Sequence, residues 1–201
     1  MKIISIIMMA LLSSCAVHKY TPPNHNLDIT DNIEINLDFE TVWEGTIERA
    51  TASFFDIDNF EKDSGLLTLS FGTGSASEFV DCGQWDGRQW NGSNHTFTGP
   101  YATYLETFLG GNFTGRMKVF IKSVSDNKTT ITLNAHYVLE TPSRIEGSGI
   151  YETRVPAMNW AFETGGSATR KSFFSAPNSP STRTCRPTGK AEKAILGALK
   201  G

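Results

Sequence analysis

The chain has 201 residues, 39% of them hydrophobic and 11% aromatic, which suits one domain with a real core and excludes a disordered chain. Its 18 Lys and Arg stand against 21 Asp and Glu, a formal charge of −3 with no basic block. That balance gives no electrostatic footprint for a nucleic-acid partner.

The chain opens with Lys2, then an apolar run from Ile3 to Leu12 broken only by Ser5, then Ser13 and Ser14 before Cys15. Ten such residues are too few to span a membrane as a helix, which needs about 20. They fit the apolar part of a secretory signal, so residues 1–14 are read as a signal peptide. The stretch Leu12-Ser13-Ser14-Cys15 resembles the bacterial lipobox. That resemblance implies a lipoprotein of the bacterial cell envelope, cut before Cys15, with a diacylglyceryl group on the Cys15 thiol. One acyl chain holds a protein to a bilayer marginally, and two or three hold it stably. Ala16 stands where an Asp typically retains lipoproteins in the inner membrane, so the resemblance points to the outer membrane, facing the periplasm.

With Cys15 assigned to lipid, Cys82 and Cys185 remain as an even pair in an oxidising compartment, and a disulfide between them is expected. Residues 15–32 are polar and contain Pro22-Pro23, which reads as a lipidated N-terminus and flexible tether. His18 and His25 fall inside it and are read as solvated. Residues 33–201 are taken as a single domain.

In that domain Ile33, Ile35 and Leu37 alternate as on a half-buried strand. Asp38 is a helix N-cap, and Glu40 sits in the first turn where the helix dipole favours an acid. Phe39, Val42, Trp43, Ile47, Ala50 and Phe54 share one face of a helix over about residues 39–54. A hairpin follows over 55–71, turning at Asp63-Ser64-Gly65, with Leu67, Leu69 and Phe71 alternating after the turn. Asp56, Asp58, Glu61 and Asp63 do not make a calcium loop, because the positions needing an oxygen ligand and a glycine hold Phe60 and Glu61. They read as a charged edge that discourages further pairing.

A strand is expected at 76–82, then an unusual loop over 82–95. It carries the near-repeat Gln84-Trp85-Asp86-Gly87 and Gln89-Trp90-Asn91-Gly92. Two readings stand: the tryptophans cover one end of the sheet, or Trp85, Trp90 and His95 form a stacking platform for a sugar or peptide. Further on, Met117, Val119 and Ile121 alternate up to a turn at Ser125–Lys128, and Ile131, Leu133, Ala135, Tyr137 and Leu139 alternate back. Strands at 148–155, 158–164 and 169–175 and a Pro/Ser loop at 175–184 follow. Thr188 caps a short helix carrying Ala191, Ala194, Ile195, Leu196 and Leu199.

The expected fold class is α+β: an antiparallel β-sheet packed against one long amphipathic helix, with a short C-terminal helix. Residues 37–71 resemble the helix-grip repeats of BamC-type outer-membrane lipoproteins, through the Trp-bearing helix and the acidic turn and Gly before an alternating strand. The resemblance implies a helix-grip-like sheet and a scaffold or assembly role, and identifies no functional residue.

No G-x-S-x-G, H-E-x-x-H or zinc-spaced Cys/His pattern occurs, so no catalytic residue, metal or cofactor is expected. The expected function is a non-enzymatic scaffold or protein-binding role, with another envelope protein as partner and the membrane reached through lipid. Two alternatives make different demands. A carrier of an apolar or saccharide ligand needs a cavity of about 300 Å³ or more. A cell-wall hydrolase needs convergent polar groups with shifted pKa values.

Overall fold

The computed structural model describes residues 19–24, 28–72, 75–88, 96–146, 152–172 and 180–197. Strands β1 (Lys19–Thr21) and β2 (Asn32–Ile35) precede helix α1 (Phe39–Ala52), and β3 (Asp56–Glu61) and β4 (Leu66–Phe71) follow it. Helix α2 (Ala76–Phe79), β5 (Val80–Asp81), β6 (Gln84–Arg88), β7 (Thr96–Pro100) and α3 (Tyr101–Leu109) lead to a long hairpin, β8 (Asn112–Ser125) and β9 (Lys128–Thr141). Then come β10 (Arg144–Glu146), β11 (Thr153–Val155), β12 (Met158–Glu163), β13 (Ala168–Lys171), β14 (Thr182–Pro187) and α4 (Lys190–Leu196). The architecture is mixed α+β with antiparallel sheets.

The centre is a six-stranded sheet ordered β12-β9-β8-β4-β3, with β2 also paired to β9. Its two longest strands alternate buried and exposed positions, as a pleated strand between core and water must. Met117, Val119, Ile121, Ile131, Leu133, Ala135, Tyr137 and Leu139 are buried on the inner face, and α1, α3 and α4 pack there. The ring of Phe71 lies directly on β8 at Gly115, where an added Cβ would stand 2.2 Å from the ring. Glycine at 115 therefore makes the place in which Phe71 meets Phe55, Phe79, Phe113 and Tyr137, with ring centroids 5.2 to 6.1 Å away.

Two strands from distant parts of the chain share the outer edge of β9. Residues Asn32–Ile35 pair with 129–132, and β12 pairs with 136–141. The seam between them is closed by the Leu133 N–H donating to the Asp31 carbonyl at 2.7 Å and the Thr164 N–H donating to the Ala135 carbonyl at 2.9 Å. The Ala135 N–H donates to Thr164 Oγ1 at 2.8 Å.

Helix α1 starts at the expected cap. Asp38 Oδ1 accepts from the Thr41 N–H at 3.0 Å and Oδ2 from the Thr41 hydroxyl at 2.7 Å. These bonds, the backbone one first, hold the Asp38 carboxyl below its ordinary pKa. Val42, Trp43, Thr46 and Ala50 are buried, and Phe39, Ile47 and Phe54 pack beside them.

Several expectations are corrected. The described residues contain four helices, none of them long; α1 has 14 residues and ends at Ala52. Helix α3 was not anticipated, because its N-cap position is Pro100, with no capping side chain, and its Tyr and Phe residues favour strands. Residues 76–79 are helical, since the Glu106 carboxylate on α3 accepts from the Ala76 N–H at 2.8 Å and supplies a cap from outside the local sequence. Strand β2 stops at Ile35 and leaves Leu37 exposed. Within the tether expected over 15–32, residues 19–21 form β1, which pairs with β6, and Tyr20 is buried. Strand β14 begins inside the expected Pro/Ser loop. Residues 1–18, 147–151, 173–179 and Leu199 lie outside the described residues.

Trp43 is buried and its ring stacks on Phe39 with centroids 5.9 Å apart. Trp43→Ala should cost about 3–5 kcal/mol, the range for emptying a large aromatic site in a core. Urea unfolding of the variant against the parent measures it, and an unchanged midpoint would place the wrong face of α1 inward.

Candidate functional site

A densely connected part of the molecule is built around Cys82 and Cys185. Cys82 follows β5 and Cys185 lies on β14, which pairs with β5 through Arg186 opposite Asp81. The two cysteines form a buried disulfide across 103 residues of sequence, with Cα atoms 4.0 Å apart. Strand β1 hooks onto both sides of it. The Tyr20 hydroxyl donates to the Cys82 carbonyl at 3.0 Å and accepts from the Thr184 N–H at 3.2 Å. Gly83, with φ of +80°, allows this approach, since a Cβ there would stand 2.1 Å from the Thr21 carbonyl oxygen.

Two residues before Cys185, Arg183 points inward and is buried. Its guanidinium carbon sits 4.2 Å from the Tyr20 ring centroid, 5.5 Å from Trp85 and 5.7 Å from Tyr101. Arg183 Nη1 also donates to the carbonyls of Pro180 at 2.5 Å and Thr182 at 3.1 Å. Among the described residues no carboxylate pairs with it. Ring faces and carbonyl oxygens stand in for water around this cation. Burial pushes the Tyr101 phenol up to about 12, and burial likewise raises Tyr20, although Arg183 works against both shifts.

This arrangement answers where Trp85 goes. It lies on β6, 8% exposed, packed on Tyr101 and Tyr104 with centroids 5.9 and 5.4 Å away. It is core, and the cation against its face is the protein's own Arg183, so Trp85 offers no open stacking platform. Trp90 and His95, the other platform candidates, lie outside the described residues, as does Cys15.

A second buried polar group was not visible in the sequence. Glu192, in the first turn of α4, is buried and accepts from the Tyr137 hydroxyl at 2.7 Å on each carboxylate oxygen. The Thr164 hydroxyl donates to the same carboxylate at 2.8 Å. Burial raises the Tyr137 pKa, and the adjacent Glu192 charge raises it further. The network joins α4 to the seam on β9 and is closed on itself. Its only sequence signal is an acid at a first-turn position that also falls on the apolar face of a short helix.

Among the described residues, no helix packs on the outer face of the six-stranded sheet. Across it Ser70, Arg116 and His136 lie side by side in register. Ser70 donates to Asp58 at 2.8 Å, and Arg116 stands 3.4 Å from the same carboxylate. A depression of about 540 Å³, open to solvent, overlies this row between Asp56 and Val138. Another, of about 420 Å³, is lined by Phe120, Lys122, Ser123, Val124, Thr130 and Thr132. Among the described residues no group of three or more His, Cys, Asp and Glu is arranged to hold a metal, and no helix is long and apolar enough to cross a membrane.

Comparison with protein-family models, with curated proteins and with solved structures found no match.

Two measurements test the site. Replacing both Cys82 and Cys185 by Ser should lower stability by up to about 4.7 kcal/mol, the chain-entropy value for a closed loop of about 100 residues. Equal urea midpoints for parent and double variant would show that the cross-link restrains nothing. The buried tyrosines set a pH dependence. Above about pH 10 an unfolded tyrosine loses its proton while these stay protonated in the native state, so the native state binds more protons. Stability should therefore fall as pH rises through that range, by at most about 1.4 kcal/mol per pH unit for each tyrosine. Urea midpoints between about pH 9 and about pH 11 measure the slope, which Tyr101→Phe should flatten.

Proposed function

We propose that the chain is a lipid-anchored lipoprotein of the bacterial cell envelope, held at the outer membrane through Cys15 and facing the periplasm. Its domain acts as a scaffold or protein-binding module without chemistry of its own. The anchor rests on the Leu12-Ser13-Ser14-Cys15 stretch and agrees with a disulfide, which belongs to an oxidising compartment. The binding role rests on one observation: the uncovered sheet face carries Phe120 at 44% and Val124 at 55% exposure, beside Lys122. The fold gains nothing from apolar side chains on its water face, whereas a partner would bury them. The helix-grip resemblance of residues 37–71 to BamC-type lipoproteins points to the same class of role.

The test is cross-linking in membranes followed by recovery of the protein. The parent should sediment with membranes and yield discrete cross-linked species. Cys15→Ala should leave the protein soluble or unprocessed. Phe120→Asp with Val124→Asp should remove the cross-linked species while leaving sedimentation and the melting temperature unchanged. An identical set of cross-linked species from that variant would reject the bare face as the binding surface.

A further inference from the structure

We propose that the β1 end of the domain lies directly against a phospholipid surface, and that the β8–β9 hairpin points away from it. The proposal deepens the reading given above and rests on Cys15 carrying lipid. Its first ground is the length of chain available. The first described residue, Lys19 on β1, is four residues after Cys15. A trans chain reaches at most about 3.6 Å per residue, so Lys19 stays within about 14 Å of the lipidated residue whatever path lies between. A spacer running to residue 32 would have let the domain sample a wide shell. Four residues do not.

The second ground is that β1 is fastened. Its three residues pair with Gln84–Asp86 on β6, and Tyr20 bonds to the backbone at Cys82 and Thr184, on both sides of the disulfide. Position and tilt at Lys19 are thus transmitted to the domain rather than absorbed at a hinge. Apart from Pro100, the residues of this small sheet described as exposed, Lys19, Thr21, Gln84, Asp86, Thr96 and Thr98, are polar. Such a surface suits contact with headgroups, without insertion into hydrocarbon.

The third ground fixes which end is distal. Arg183, against the Tyr20 ring, accepts at its carbonyl from Trp160 Nε1, and Trp160 is paired with Leu139. The anchored end therefore adjoins the Leu139 end of β9. The turn at Asp126-Asn127 closes the opposite end, a dozen residues along the strand, or roughly 35 to 40 Å away. Val124 lies beside that turn, so the bare face presents its exposed apolar residues away from the bilayer.

The experiment uses the mature, lipidated protein in phospholipid vesicles whose headgroups carry a nitroxide quencher. Fluorophores are attached at Lys19→Cys in one preparation and Asn127→Cys in another, both exposed positions, with the buried disulfide intact. Mass spectrometry of the peptide beginning at Cys15 is run on the same samples. The expected result is several-fold stronger quenching at position 19 than at 127. That difference should vanish when a flexible Gly/Ser segment of about 20 residues is inserted after Ala16. Equal quenching at the two positions, with Cys15 acylated, would overturn the proposal and leave the lipoprotein reading standing. An unacylated Cys15 peptide would overturn both. As a check that needs no substitution, an amine-reactive cross-linker should join native Lys19, and not Lys128, to phosphatidylethanolamine.

Discussion

The buried charge of Arg183 is the constraint around which one half of the molecule is arranged. An isolated guanidinium taken out of water costs many kcal/mol unless something replaces its hydration. Here the replacement is the faces of Tyr20, Trp85 and Tyr101 and the carbonyls of Pro180 and Thr182. No single element could provide that set. Strand β1 brings Tyr20, β6 brings Trp85, α3 brings Tyr101 and β14 brings the cation itself. The three-stranded sheet β1-β6-β7 and the three-stranded sheet β13-β14-β5 meet at this point, with the disulfide beside it.

What the sequence revealed follows from which interactions are local. The β8–β9 hairpin, the β3–β4 hairpin and the cap and apolar face of α1 depend on neighbours a few residues away, so alternation and capping rules reached them. The C-terminal helix was legible from its apolar spacing, although its N-cap position is Gly189, with no capping side chain, and not the expected Thr188. The disulfide was reached by counting cysteines, independently of geometry. Helix α3 was missed because its support is remote: aromatic side chains on β1, β6 and β7 cover its face, and nothing local marks its start. Trp85 was left open between a buried cover and an exposed platform for the same reason. Its flanking Asp and Gly suggested a loop, while its burial is decided by Tyr101, Tyr104 and an arginine almost 100 residues further on. Glu192 shows the limit most clearly, because a buried acid is intelligible only beside the hydroxyls of Tyr137 and Thr164.

The two faces of the central sheet divide the labour of the domain. The inner face holds the aromatic cluster around Phe71 and carries the helices, and the Tyr137 hydroxyl buried there is answered by Glu192 from α4. The outer face holds weak, exposed ion pairs of the kind that contribute little to stability. Changes on the outer face can therefore alter what the surface meets with little effect on the fold. Changes near Arg183 or Glu192 disturb elements far apart in sequence.

The shared edge of β9 bears on how the chain reaches this state. One part of that edge is completed by residues 31–35 and the rest by residues 158–164. Both contacts span on the order of a hundred residues or a complete hairpin, and the Tyr20 hook waits for residues 182–185 as well. Non-local closures of this kind are slow, because loop entropy is lost before the contact forms. A chain delivered N-terminus first would thus hold β1 without a partner until β6 arrives and β2 until β9 arrives. The first strand made would be among the last to be completed, when Arg183 meets the face of Tyr20.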